Sequence, residues 1–297
     1  MTINYIDRNT GEKKLEVVSG GRALRWTYET KPGRMLLETF MKKKLFTTLF
    51  GKFMDTPFSR KRIQGFIEEL GIDLSEAELD KVTDYKNFNE FFARKLKEGA
   101  RLIHQGEETL ISPADGKVLA YENIDIKEIV QIKGSKYQLK DLFQHEELAE
   151  EYQGGTCIVV RLAPADYHRF HFPDSGVPTK SRLVEGDYYS VSPYALRQVV
   201  ELYCRNKREI TEFESDHFGK MALVEVGATC VGSIIQTYKA GKPVEKGQEK
   251  GYFKFGGSTT VLFIKKGIVK VDEDIITNSR LGIETKVYMG ESIGKSC

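Results

Sequence analysis

Along the first hundred residues, apolar positions recur every three or four places. Between 34 and 66 they fall at Met35, Leu36, Phe40, Met41, Leu45, Leu49 and Phe53, which gathers them on one face of a helix. Pro57 lacks an amide hydrogen and predicts a break between two helices there. A third helix is predicted from Ser75 to Val82, with Ser75 as its cap and Glu76 and Glu78 in its first turn. A fourth is predicted over 87–96, NFNEFFARKL. After residue 110 the period changes. Short β-rich runs bounded by glycine cover 116–121, 156–162, 221–226, 231–237, 259–264 and 268–271, and several alternate apolar with polar residues. One helix, over 193–203, interrupts them. The pattern predicts an α+β protein: an N-terminal helical region over 1–100, then a mainly antiparallel β domain over 101–297. It contains no repeat and no dinucleotide-binding or phosphate-loop fingerprint.

A chain of 297 residues can bury a substantial core. Hydrophobic residues at 40% and charged residues at 30% are ordinary for a globular protein, and a net charge of +2 gives no reason to expect nucleic acid as a partner. Charge changes the picture only locally. Lys42, Lys43, Lys44 and Lys52 interleave with the apolar stripe, and Arg60, Lys61 and Arg62 follow it. Such a helix either packs on the β domain with a solvated lysine face or lies on an anionic membrane. The polar N-terminus predicts no signal peptide, and no apolar run approaches the ~20 residues that span a bilayer. Cys157, Cys204, Cys230 and Cys297 lack disulfide or metal-ligand spacing, so no metal site and a reducing, cytosolic setting are expected. The last residues, Gly294 to Cys297, do not fit the prenylation pattern.

Three segments carry candidate chemistry. The first is Tyr252 to Thr260, YFKFGGSTT, running straight into VLFI. Two glycines allow strained backbone beside the Ser258 hydroxyl. That oxygen can attack the Gly257 carbonyl, turning amide into ester. β-Elimination and hydrolysis then leave a pyruvoyl group. The plainer reading is a Gly-Gly turn entering a strand. The second segment, Ala163 to Pro173, holds His168 and His171, flanked by aromatics and prolines. Imidazole suits proton transfer near neutral pH, and the two rings share a face only in a helical turn. The plainer reading is one packed and one surface histidine. The third, Ser112 to Val118, holds Asp115 in a Pro-x-Asp-Gly turn. Its carboxylate either orients a histidine or serves the turn alone. Asp115, His171 and Ser258 together form an orienter–base–nucleophile set. Spacing does not separate a serine hydrolase from a self-processing enzyme, although the hydrolase elbow G-x-S-x-G is absent around Ser258.

These segments resemble the phosphatidylserine decarboxylase family, which carries a P-A-D-G turn, a Y-H-R-x-H segment and a G-S-T processing site. Here they stand at Pro113–Gly116, Tyr167–His171 and Gly257–Thr259. FNEFFARKL at 88–96, YSVSPYAL at 189–196, NKRE at 206–209, VGATCVGSI at 226–234 and EKGYFKFGGST at 249–259 are similar too. Ser192 departs from the family, where asparagine is expected, which puts one local substrate contact in doubt.

The resemblance implies cleavage between Gly257 and Ser258 by Asp115, His171 and Ser258, with His171 as base. The products are a β chain, 1–257, and an α chain, 258–297, opening with the covalent pyruvoyl cofactor. That ketone would form a Schiff base with phosphatidylserine and release phosphatidylethanolamine and carbon dioxide. His168 is the candidate for assisting decarboxylation, and Thr259 for positioning the processed bond. The resemblance further implies a zymogen of phospholipid biosynthesis, peripheral on the cytoplasmic face of the cell membrane. A homodimer stays open. A pyruvoyl decarboxylase of soluble amino acids, a serine hydrolase and a non-enzymatic lipid-binding module remain as alternatives. Chain integrity separates the last two from the rest.

Overall fold

The computed structural model describes residues 4–18, 20–130, 136–228, 233–256 and 258–297. Its centre, among those residues, is a ten-stranded sheet. Gly219–Val226, Ser258–Ile264, Thr156–Leu162 and Gly116–Glu122 lie side by side in its middle, all antiparallel. Arg208–Ser215 extends one side, with Arg182–Val184 beyond it. Glu284–Val287 extends the other side, followed by Asn4–Asp7 and Lys13–Leu15. The pair Asn4–Asp7 with Glu284–Val287 is parallel.

Thr156–Leu162 and Ser258–Ile264 are buried throughout, and the middle strands split their side chains between two cores. Val159, Val224, Val261 and Phe263 face one, covered by Leu139–Phe143 and the helical stretch that brings Leu196 and Leu202. Ile158, Val160, Leu223 and Leu262 face the other. There a small sheet of Ile234–Gln236, Glu249–Phe253 and Arg169–His171 packs over them. A third, aromatic core joins Phe88, Phe91 and Phe92 to Met54, Ile63 and the half-buried Phe255.

This is an α+β structure, with differences from the pattern-based expectation. The chain begins with two strands before its helices. Asp7 makes that hairpin: its carboxylate accepts from the Asn9 and Thr10 amides, and Gly11 takes φ 69°. The expected helix over 75–82 does not form. Ser75 spends its hydroxyl on Asp73, and Ala77 bridges to Leu96. The 34–66 stretch breaks into Lys31–Leu36, a π-turn Leu37–Met41, Lys44–Met54, a 3-10 turn Pro57–Arg62 and Ile63–Leu70. Pro57 begins that turn, as its fixed φ favours. Lys42 leaves the basic stripe: its ammonium is turned inward onto Tyr189, Glu38 and Asp187. Cys157 is buried, and Cys157, Cys204 and Cys297 are free. Cys230, Gly257 and the start of the run expected at 231–237 lie outside the described residues.

Candidate functional site

Segments distant in sequence meet at one end of the central sheet. Strand pairing sets Ser258 opposite Leu162. Beyond Leu162 the chain turns through Ala163–Asp166 and returns as Arg169–His171. Asp166 closes the turn, its Oδ2 accepting from the Ala163 amide at 2.7 Å. Lys286 holds the other carboxylate oxygen at 2.6 Å. This turn throws His168 back over the strand end, where its Nδ1 lies 3.1 Å from Ser258 Oγ. The segment also touches the Pro-x-Asp-Gly turn, since the His171 amide donates to the Pro113 carbonyl at 2.7 Å.

Hydrogen bonds fix both imidazole tautomers. His168 Nε2 lies 3.0 Å from the Ala163 carbonyl. A carbonyl only accepts, so Nε2 carries the proton and Nδ1 offers its lone pair to the Ser258 hydroxyl. The ring stacks on Phe92 with centroids 3.8 Å apart. Burial drives its pKa down to about 3; Asp166 opposes the fall and Arg94 adds to it. His171 donates from Nδ1 to the Gly247 carbonyl at 2.8 Å, leaving Nε2 to accept from the Tyr167 hydroxyl at 3.2 Å. Burial lowers its pKa as well, while Gly247, Glu249 and Asp115 pull the other way. Both rings are therefore neutral near pH 7.

Asp115 is buried and fully engaged. Its carboxylate accepts from Arg101 Nε at 3.0 Å, Arg101 Nη2 at 2.7 Å and the Met289 amide at 2.8 Å. Among the described residues it makes no hydrogen bond to His171 or Ser258. The structure thus joins His168 to Ser258 directly and sets Asp115 near His171, where its charge is felt. Thr259, the next residue in the strand, faces the opposite side of the sheet from Ser258. Gly256 has φ 139°, a conformation that L side chains rarely adopt.

Several partners had no signal in the sequence. Arg101, Phe92, Asp166 and Lys286 are common residues whose roles arise from long-range contact. Ser192, the departure from the family pattern, accepts from the Ala195 amide at 3.4 Å and caps Pro193–Gln198. Asparagine caps equally well.

Beneath the site lies a fully buried ion pair. Lys250 Nζ is 2.7 Å from Glu225 Oε2 and 3.0 Å from Gln236 Oε1. Glu225 pairs in register with Thr260, two residues along the strand from Ser258. Burial raises the Glu225 pKa and lowers that of Lys250, and each partner's charge opposes the shift. Lys250→Met leaves a buried carboxylate uncompensated and is expected to cost about 3–5 kcal/mol. Lys250→Met with Glu225→Gln should recover most of that. Urea unfolding in a Ser258→Ala background, where one covalent chain is followed, measures both. Equal losses in the single and double variants would show that the stranded carboxylate is not the source of the cost.

A family model described as phosphatidylserine decarboxylase matches residues 88–295. The phosphatidylserine decarboxylase proenzyme of Clostridium perfringens (strain SM101 / Type A) is 52% identical over 292 residues, covering 98% of this chain and 99% of the relative. That of Ruminiclostridium cellulolyticum is also 52% identical over 292 residues, covering 98% and 97%. That of Clostridium tetani is 48% identical over 293 residues, covering 99% and 98%.

Proposed function

The chain belongs to the phosphatidylserine decarboxylase family, and from that membership we propose how its site matures and works. It is an enzyme that decarboxylates phosphatidylserine to phosphatidylethanolamine and carbon dioxide. The precursor cuts itself between Gly257 and Ser258. The observation that carries this reading is the buried Ser258 hydroxyl, held by the lone pair of His168, two residues after Gly256 with its positive φ.

Ser258 Oγ attacks the Gly257 carbonyl carbon while a base takes its proton. The C–N bond breaks, and the acyl group moves from nitrogen to oxygen. Loss of the Ser258 Cα proton then expels the Gly257 carboxylate and leaves a dehydroalanine. Water replaces its nitrogen, released as ammonia, and the α chain, 258–297, begins with pyruvoyl. The residues fit such a group: its carbonyl would stand at the start of a buried strand, beside an imidazole with a free lone pair. When present, the ketone condenses with an amine and withdraws electrons from the neighbouring carbon–carboxylate bond. His168 lies on that residue after the hydroxyl is gone and is placed to move a proton there. His171, with the charge of Asp115 near it, is the base for the cut. A second reading, favoured by the 3.1 Å contact, gives the cut to His168 as well.

The precursor stays together after cutting. The α chain supplies Ser258–Ile264 and Glu284–Val287, each hydrogen-bonded on both edges to β-chain strands. Arg8 of the β chain also holds Asp272 at 2.8 Å and Asp274 at 2.9 Å in the α chain.

No helix among the described residues is long and apolar enough to cross a membrane. The helical part of 1–100 is instead the surface that meets an anionic bilayer, on its cytoplasmic face. Leu45, Leu49 and Phe53 line the outer side of Lys44–Met54 and are exposed by 67, 57 and 38%. Phe58 is exposed by 75%, and Lys43, Lys44 and Lys52 are also exposed beside this row. Burying two leucines in the acyl boundary favours binding by roughly 3–6 kcal/mol. Leu45→Glu with Leu49→Glu should cut flotation with phosphatidylserine vesicles at least about tenfold. Turnover of a short-chain, monomeric phosphatidylserine should not change. Undiminished flotation would move the membrane contact to another face.

The experiment that tests the main reading is an intact mass of the purified protein under denaturing conditions. A ketone-bearing α chain supports it. A wholly uncut protein that still decarboxylates phosphatidylserine overturns it.

A further inference from the structure

Three consecutive amides precede the bond to be cut, and each is held by a different part of the protein. Phe253 N donates to the His168 carbonyl at 2.9 Å, and Lys254 N donates to the Ser233 carbonyl at 3.2 Å. Phe255 N donates to a side chain, the Oδ1 of Asn89, at 2.8 Å. Beyond Phe255 only Gly256 and Gly257 separate this anchored stretch from Ser258, which is already in the central sheet. Both ends of a two-glycine bridge are therefore fixed, and the last fixed point before it is Asn89.

Asn89 is itself over-determined. It is 4% exposed and sits in the short helix Phe88–Phe92, within the aromatic core. Its Nδ2 donates to Asp55 Oδ1 at 2.9 Å. Asp55, which ends the Lys44–Met54 helix, also receives Lys254 Nζ at 2.9 and 3.1 Å. Because Nδ2 must face the carboxylate, Oδ1 must face the Phe255 amide. The Phe255 ring is gripped on the same side, with centroids 4.7 Å from Phe88 and 5.1 Å from Phe92. Phe92 is the ring stacked on His168. A primary amide inside an aromatic cluster is costly unless each of its polar atoms is paired. Here the pairing runs toward the processing segment.

We infer that Asn89 is a positioning residue for self-cleavage, holding the Phe255 amide so that the Gly257 carbonyl meets Ser258 Oγ. The inference rests on the proposed cut between Gly257 and Ser258. Asn89 touches neither reacting atom and acts through Phe255, with Asp55 as its own orienter. Its work ends with the cut, because the restraint then bears on a free chain end.

The test is a cell-free synthesis with pulse labelling, following conversion of the full chain to its two fragments. Asn89→Leu fills the same space without the acceptor and is expected to slow cleavage at least about tenfold, since misplacements near 1 Å cost up to ~10²-fold. Asn89→Asp keeps the acceptor but sets two carboxylates together. Adding Asp55→Asn restores a donor–acceptor pair of reversed sense, and this swap should return cleavage to within about threefold of wild type. Material that does mature from Asn89→Leu should show the wild-type kcat per cut chain. The melting temperature of Ser258→Ala carrying Asn89→Leu, against Ser258→Ala alone, reports any structural cost separately. Cleavage of Asn89→Leu at the wild-type rate overturns the inference. So does a swap that leaves cleavage as slow as Asn89→Leu although the doubly substituted chain melts like its parent. If Ser258→Ala is itself cut at this bond, the underlying processing scheme fails instead, and the two failures are distinguishable.

Discussion

Ser258→Ala is expected to yield a single chain of 33.8 kDa that folds, stays uncut and has no decarboxylase activity. Wild type should give instead an α fragment of about 4.5 kDa, blocked at its N-terminus and reactive toward carbonyl reagents. Folding should survive because, among the described residues, the hydroxyl makes one hydrogen bond, to His168, worth about 1 kcal/mol. Backbone pairing to Leu162 does not depend on the side chain. Activity should not survive, because in the proposed scheme the electron-withdrawing ketone forms at the Ser258 Cα only when the side-chain oxygen has left by elimination, and alanine has no such oxygen to lose. The loss should reach at least about 10⁶-fold, the lower range of enzymatic acceleration. Intact mass, a hydrazine adduct and carbon dioxide release from labelled lipid check the three parts of the expectation. An uncut Ser258→Ala that still releases carbon dioxide would place the chemistry elsewhere. A cut Ser258→Ala would place the nucleophile elsewhere.

How much of this was legible in the sequence depends on the range of the interaction. The runs at 116–121, 156–162, 221–226 and 259–264 became central strands, because continuous burial and flanking glycines are local properties. Ser75–Val82 failed for an equally local reason that composition hides: Ser75 can cap a helix or bond Asp73, and it bonds Asp73. The three chemistry-bearing segments were visible as residue types, and the histidine segment does touch both others. Their pairing was not visible. Ser258 and His168 lie 90 residues apart. They meet because the strand containing Ser258 pairs with the one that ends at Leu162 and turns into His168. Asp115 illustrates the limit further. An aspartate in a Pro-x-Asp-Gly turn suggests an orienter for histidine, but its hydrogen bonds go to Arg101 and Met289. Lys42 shows the same limit on a surface: its position in the lysine run suggests solvent, yet Tyr189, Glu38 and Asp187 draw it inward.

The two histidines should part company when each is replaced. His171→Ala is expected to remain uncut, and His168→Ala to be cut but inactive. A base for the cut becomes an imidazolium, so the surrounding charges matter. Around His171, Glu249 and Asp115 favour that cation and Arg169 opposes it. Around His168, the favourable Asp166 already serves Lys286 and lies 4.0 Å from Lys117, while Arg94 opposes. With a pKa near 3, His168 is the poorer acceptor of a full proton. Its place beside residue 258 in the uncut chain nevertheless suits the later reaction, which follows loss of the hydroxyl in the proposed scheme. Distance argues the other way, since His168 and not His171 is bonded to Ser258 Oγ. If His168→Ala stays uncut and His171→Ala is cut, the 3.1 Å contact is the proton path and the electrostatic argument fails. The pH profile of cleavage adds a second arm. A base acts in its neutral form, and an ordinary imidazole loses half its activity at pH 6.5. Burial lowers the pKa of both rings, so the acid limb must move below that value. Cleavage in wild type should therefore stay level from pH 8 down to about 6.5 and fall only in more acidic buffer. A limb centred above pH 6.5 would mean that the acting base is neither of these buried imidazoles in its resting state.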